Sequence, residues 1–289
     1  VKALLPLAAL SPKSRKNEAD CLRSWERFCV INSLPVLPTT LEALRVYIED
    51  MPARVTAGTL RHVVAAVRRW HLEAGLGDPA DEALLDELRR AQRRGYVPEI
   101  VPCLTQDLAT IINGIPDSPR GARDKLLVLL SYSGRVSSPA MAKLDRGDVH
   151  IDPRGMVLDV WYGRRKRPVT FDRYHDTRYC VVSAMEHYLR RLDDEEPALI
   201  RVCRRGRITT RRLGLRRGEG AISFRCRNAG VKRFPLTSLR AGMMVSATNR
   251  GADEYAIMRQ HGYHRASTVR QMQARLNLKQ VDVVDRLGL

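Results

Sequence analysis

The sequence predicts a mainly α protein of two domains: an N-terminal four-helix domain, then a mostly helical domain with one small antiparallel sheet. Three observations carry this expectation. Apolar residues recur at three- and four-residue spacing from Lys13 to Gly95. A stretch with two prolines and no helical period, YVPEIVPCL over residues 96–104, then reads as a linker. Beyond it the helical period gives way to alternation in GMVLDVWYGRRKRPVTF before helix resumes. A chain of 289 residues, 44% hydrophobic, is long and apolar enough for two cores.

Taken in order, residues 1–12 form a short tail. Its apolar run is broken by Pro6, lacks a small-residue cleavage pattern and falls short of the roughly 20 residues of a membrane span. The four-helix domain covers residues 13–95. Its first helix places Leu22, Trp25, Phe28 and Cys29 on one stripe. TTLEALRVYIEDM starts the second behind a threonine cap. The third, TAGTLRHVVAAVRRWHLEAGL, turns Leu60, Val63, Val64, Val67 and Trp70 inward and Arg61, Arg68 and Arg69 outward. DPADEALLDELRRAQRRG forms the fourth and ends at Gly95.

The second domain covers residues 105–289. TQDLATIINGI and SPRGARDKLLVLLSYSG begin it as helices. Two strands follow, joined by a basic turn holding Arg164, Arg165 and Lys166, and CVVSAMEHYLRRL returns to helix. Eight arginines then fall between Arg201 and Arg217, and Ile208, Leu213 and Leu215 within that run mark it as partly ordered. MRQHGYHRASTVRQMQARL reads as the end of a helix, a turn at Gly262 and a second basic helix. From about residue 274 a tail places Val281, Val284 and Leu287 on one stripe, too small a face to be stable alone.

Fifty Lys and Arg against 32 Asp and Glu leave a formal charge of +18. Arginine dominates the basic set, and its planar guanidinium binds phosphate oxygens in pairs, so a polyanion, above all nucleic acid, is the expected partner. The six cysteines show no C-x-x-C pair and no comb with histidine, so neither a metal site nor a disulfide framework is expected. No cofactor and no membrane partner are expected, and the expected location is the cytoplasm.

The order of a basic four-helix domain, a proline-bearing linker and a helical domain with one small sheet resembles the tyrosine recombinase and phage integrase family. That family clamps a DNA duplex between its two domains. Its second domain carries an Arg near a helix start, a Lys on the sheet hairpin, a His-x-x-Arg motif, a second His or Trp, and a Tyr nucleophile about nine residues later. Aligned from Leu144, Asp148 and Val149, RVSSPAMAKLDRGDV places Ser137 where the first Arg belongs and Ala140 where an acidic residue belongs, with Arg135 two residues upstream. PLTSLRAGMM keeps Arg240 and has Thr237 in the His position. GYHRASTVRQM matches at Gly262, Thr268, Val269 and Arg270, with Tyr263 in the second His position and Met272 in the Tyr position. A one-residue deletion would put His264 in the His position and Gln273 in place of the nucleophile.

The resemblance implies a degenerate member, with Ser137, Ala140, Thr237, Tyr263 and Met272 at positions that carry chemistry elsewhere. A thioether has no ionisable proton and cannot form the phosphotyrosine ester. Tyr255 and Tyr263 remain as alternative phenols. DNA contact falls to Arg61, Arg68, Arg69, Arg135, Arg164, Arg165, Lys166, Arg240, His264 and Arg270. The implied partners are duplex DNA, other copies of the chain through the tail, and an active recombinase; nucleoid association follows from the first. The expected role is a repressor or a recombination accessory factor that no longer cleaves DNA, the alternative being a recombinase using displaced residues.

Overall fold

The computed structural model describes residues 6–94, 100–192, 196–263 and 265–276. The chain divides into two compact units, residues 1–99 and 100–289.

The first unit holds α1 (Pro12–Ile31), α2 (Leu41–Asp50), α3 (Ala57–Glu73) and α4 (Glu82–Arg94). Each start is set by an oxygen side chain that accepts from an early backbone N–H: Ser11 from Ser14, Thr40 from Ala43, Thr56 from Thr59, and Asp81 from Leu84. Trp25, fully buried, meets Tyr47 edge-on at 5.5 Å, and Leu44, Leu60, Val63 and Leu84 close the core around them.

Arg61 is exposed, as the helical pattern requires. Arg68 and Arg69 are not: both are buried. Arg68 Nε donates to Asp78 at 2.9 Å, and Arg69 pairs with Glu18 on α1. This corrects the expectation that they face outward to DNA. Their partners lie 10 and 51 residues away in sequence, so a pattern confined to α3 cannot register them. A guanidinium drawn into a carboxylate at a helix interface is a structural cation.

In the second unit, α5 (Thr105–Asn113) leads to α6 (Pro119–Tyr132), of which ten of fourteen residues are buried. The short α7 (Ser138–Met141) follows, then β1 (Val149–Ile151), β2 (Gly155–Tyr162) and β3 (Arg165–Asp172). These pair antiparallel in the order β1-β2-β3, with Tyr162 opposite Arg165 across the basic turn. Met156, Leu158 and Val160 alternate into the core, so the sheet packs by one face.

After α8 (Val181–Leu189), part of the arginine run folds as a second antiparallel pair, β4 (Arg201–Arg204) and β5 (Arg207–Arg212). The helices α9 (Leu215–Asn228), α10 (Leu236–Asn249), α11 (Glu254–His261) and α12 (Ala266–Arg275) complete the unit. Gly262 ends α11 in the left-handed conformation, φ 66°, which turns the chain into α12. The tail residues Val281, Val284 and Leu287 lie outside the described residues, as does His264.

Candidate phosphate-binding site

Two arginines are fixed where α6, β3, α10 and α11 converge. The first is Arg135. The chain leaves α6 through Gly134, whose φ of +72° suits glycine and whose missing Cβ would stand 2.7 Å from the His261 ring. The turn aims Arg135 back across β3. Its Nε and Nη2 fork onto Gln260 Oε1 at 3.0 and 2.7 Å, and Nη1 donates to the Thr170 carbonyl. Gln260 in turn donates to Ser133 O at 2.8 Å, and the Tyr162 hydroxyl donates to Arg135 O at 3.0 Å.

Ser137, expected at the first-arginine position, instead stands in extended conformation ahead of α7, and Ala140 is buried in the core. Residues 137–139 do start a helix, but one of only four residues. The guanidinium held at this place is that of Arg135, two residues upstream of Ser137.

The second arginine, Arg240, projects from α10. Its Nε donates to His261 Nδ1 at 3.0 Å, and its Nη2 donates to the His261 carbonyl at 2.6 Å. His261 is buried, and desolvation, aided by the Arg240 charge, pushes its pKa down to about 3. The ring is neutral. Because Nδ1 accepts, Nε2 carries the hydrogen, and this buried donor has no hydrogen-bond partner among the described residues. Such an orphan costs about 1–3 kcal/mol. The imidazole lies parallel to the Tyr263 ring, centroids 5.3 Å apart, and the Arg240 guanidinium is 5.2 Å from that ring.

Beside these groups lies a cavity of about 290 Å³ walled by Arg135, Tyr162, Arg167, Arg259, Gln260 and Tyr263, with the rest of its lining from β3 and Gly262. Three guanidiniums and two phenols border it, and no carboxylate does. That composition suits an anion with several acceptor oxygens. Arg259 is absent from the residues singled out in the sequence. Strand alternation was the usable signal for Arg167, since Lys166, next in line, must point to the opposite face.

The remaining positions are dispersed. Lys166 pairs with Asp148, which raises its pKa, and its ammonium sits 5.2 Å from the Trp161 ring. Arg164 and Arg165 are exposed at the hairpin turn, and Thr237 is exposed on the first turn of α10. Arg270 pairs with Glu254 at 3.0 Å. Met272 packs, partly buried, with Met244, Ile257, Val269 and Tyr263. Tyr255 is 59% exposed and is not part of the cavity wall. Among the described residues no three His, Cys, Asp or Glu side chains group as metal ligands would, and no helix is long and apolar enough to cross a membrane.

No protein-family model matches the chain. It is 23% identical over 257 residues to an integrase/recombinase xerD homolog of Selenomonas ruminantium, spanning 82% of this chain and 74% of that protein. Among solved structures it is similar to a lambda integrase dimer, residues 75–356, bound to a COC' core site, with TM-score 0.64 and 10% identity over 95% of this chain and 94% of that one. It is also similar to the Tn1549 transposon integrase in complex with circular intermediate DNA, with TM-score 0.61 and 12% identity over 97% of this chain and 94% of that one.

Proposed function

From the premise that this chain has the fold of the tyrosine recombinases, we propose that it binds double-stranded DNA at specific sites without cleaving it. It acts as a repressor or as an accessory, architectural partner of an active recombinase. The observation that carries this reading is a divided site. Arg135 and Arg240 are held by hydrogen bonds beside an acid-free cavity, while Met272, which the resemblance aligns with the nucleophile, packs into an apolar cluster.

Strand cleavage by this fold requires a phenol oxygen to attack phosphorus, cations to stabilise the phosphorane, and a proton for the leaving sugar oxygen. The cations are present here. The thioether cannot attack, and Thr237 and Tyr263 stand where the resembled family carries imidazoles. Phosphate binding survives and transfer does not. Sequence selection then rests on side chains reaching base edges, with phosphate contacts fixing the register.

A mobility shift across a salt series tests the first half. With about six to ten phosphates neutralised, log affinity should fall with log salt by close to 0.9 per contact, and a flat response would remove the DNA assignment. A nicked suicide duplex tests the second half: no covalent adduct is expected. One observation favours an active recombinase with a displaced nucleophile, namely that Tyr263 lines the cavity beside Arg240. An adduct from the unaltered chain that disappears in Tyr263→Phe would establish that reading.

A further inference from the structure

The β4–β5 hairpin carries the chain's densest run of positive charge, and the cavity makes no use of it. Its base is anchored. Arg201, 1% exposed, donates to the carbonyls of Ala198 and Glu196, each at 2.6 Å. Arg212 donates to Leu144 O at 2.7 Å and pairs with Asp145.

The outer half is the reverse. Arg204, Arg205, Arg207 and Arg211 are exposed, and none forms an ion pair among the described residues. Some exposed arginines elsewhere have an acid beside them, as Arg23 has Asp20, Arg89 has Asp86 and Arg178 has Asp176, while others, such as Arg61, Arg164 and Arg165, form no ion pair among the described residues. Arg204 also lies directly opposite Arg207 in the ladder, and facing like charges destabilise a strand pair. Arg205, at the turn between them, is held at a φ of 47°, a conformation that residues with a Cβ seldom adopt. Unpaired charge, a like-charge pair and a strained arginine thus coincide at one tip. Nothing described in the unit offsets them.

We propose that this tip is a second anion-binding surface, which follows the phosphate backbone of duplex DNA beyond the stretch held at the cavity that Arg135 lines. The proposal rests on the DNA reading above and extends it. The tip fits a polyphosphate better than an acidic protein, because stable protein interfaces centre on buried aromatic or apolar anchors. Here the apolar Ile208 is already half-buried against the unit's own core, leaving charge alone outside. Charge without such anchors gives affinity that is sequence-independent and salt-sensitive. The base of the hairpin is fastened to Leu144 and Asp145, on the segment that starts just after Arg135, so the two anion sites share one support.

The test replaces Arg204, Arg205, Arg207 and Arg211 together by Gln in the full chain and compares the salt dependence of binding to a mixed-sequence duplex of about 40 base pairs. At up to 0.9 per phosphate, the log–log slope should become shallower by about 2–4. The matching four-lysine variant should keep the original slope, because it keeps the charge. An unchanged melting temperature checks the fold. Strong binding by the unaltered chain with the same slope in the Gln variant would overturn the proposal while leaving the DNA reading intact. No duplex binding by the unaltered chain would overturn both. A variant that binds duplex normally but loses single-stranded RNA or an acidic protein would assign the tip to that partner and overturn the proposal.

Discussion

At residue 272 a thioether packs on the same small apolar cluster as Tyr263, a residue that lines the cavity together with Arg135 and lies 5.2 Å from the Arg240 guanidinium. On the proposed reading, these two guanidiniums would be available to a bound phosphate. Met272→Tyr should accordingly form a covalent adduct with a duplex whose leaving oxygen is replaced by sulfur, because a thiolate departs without a proton. With ordinary DNA the same variant should give at least tenfold less adduct. Equal yields, measured on denaturing gels, would show that a proton donor is present. The fixing of Arg135 was hard to read because its partners, Thr170 and Gln260, are remote in sequence. His261 was hard to read because its partners, Gly134 and Arg240, are remote in sequence. A second prediction concerns that histidine. Its folded pKa of about 3 lies below the unfolded value, so the unfolded chain binds the extra proton first as pH falls. Stability from this group is present above about pH 6.5 and is lost on acidification toward pH 3, by at most about 1.4 kcal/mol per pH unit. His261→Asn should flatten that slope in urea titrations, while Asn Oδ1 still accepts from Arg240.

Among the elements, α6 is the one on which the second unit depends. Within it Arg123 and Asp124 are buried, and Asp124 accepts from Arg123 Nε at 2.9 Å and from Arg225 Nε of α9 at 2.7 Å. Removing the carboxylate leaves two buried guanidiniums facing each other. Asp124→Ala should cost about 3–5 kcal/mol, seen in calorimetry as a fall in melting temperature of roughly 6–20 °C. A fall under about 2 °C would mean that water reaches the pair. Most helices were legible, since caps and periodicity are local properties that survive into the fold, but α9, whose start lies inside the arginine run, was not. The β4–β5 pair was not: its alternation is carried by few apolar residues, chiefly Val202 and Ile208, and the charge around them reads as loop. The three-residue β1 is too short to show a period at all.

For the whole molecule, the two units have separate cores, one around Trp25 and Tyr47 and one around α6. The buried arginines of α3 were not visible in composition, because their partners Glu18 and Asp78 lie outside the helix. Each core should unfold by its own transition. Arg69→Ala leaves Glu18 without its partner at the α1–α3 interface and should lower the first unit's transition alone. A loss spread equally over both transitions in differential scanning calorimetry would refute independent folding.

The packing of Met272 also sets how the protein should age. Met244, Met258 and Met272 all belong to the small apolar cluster that joins α10, α11 and α12. Sulfur in that oxidation state is readily converted by peroxide to the sulfoxide, which brings a polar S=O group into a seam that has no donor assigned to meet it. Oxidised protein should lose the docking of α12 before either main core loosens, and methionine sulfoxide reductase should restore it. A methionine at this seam thus makes the docking of α12 sensitive to oxidants.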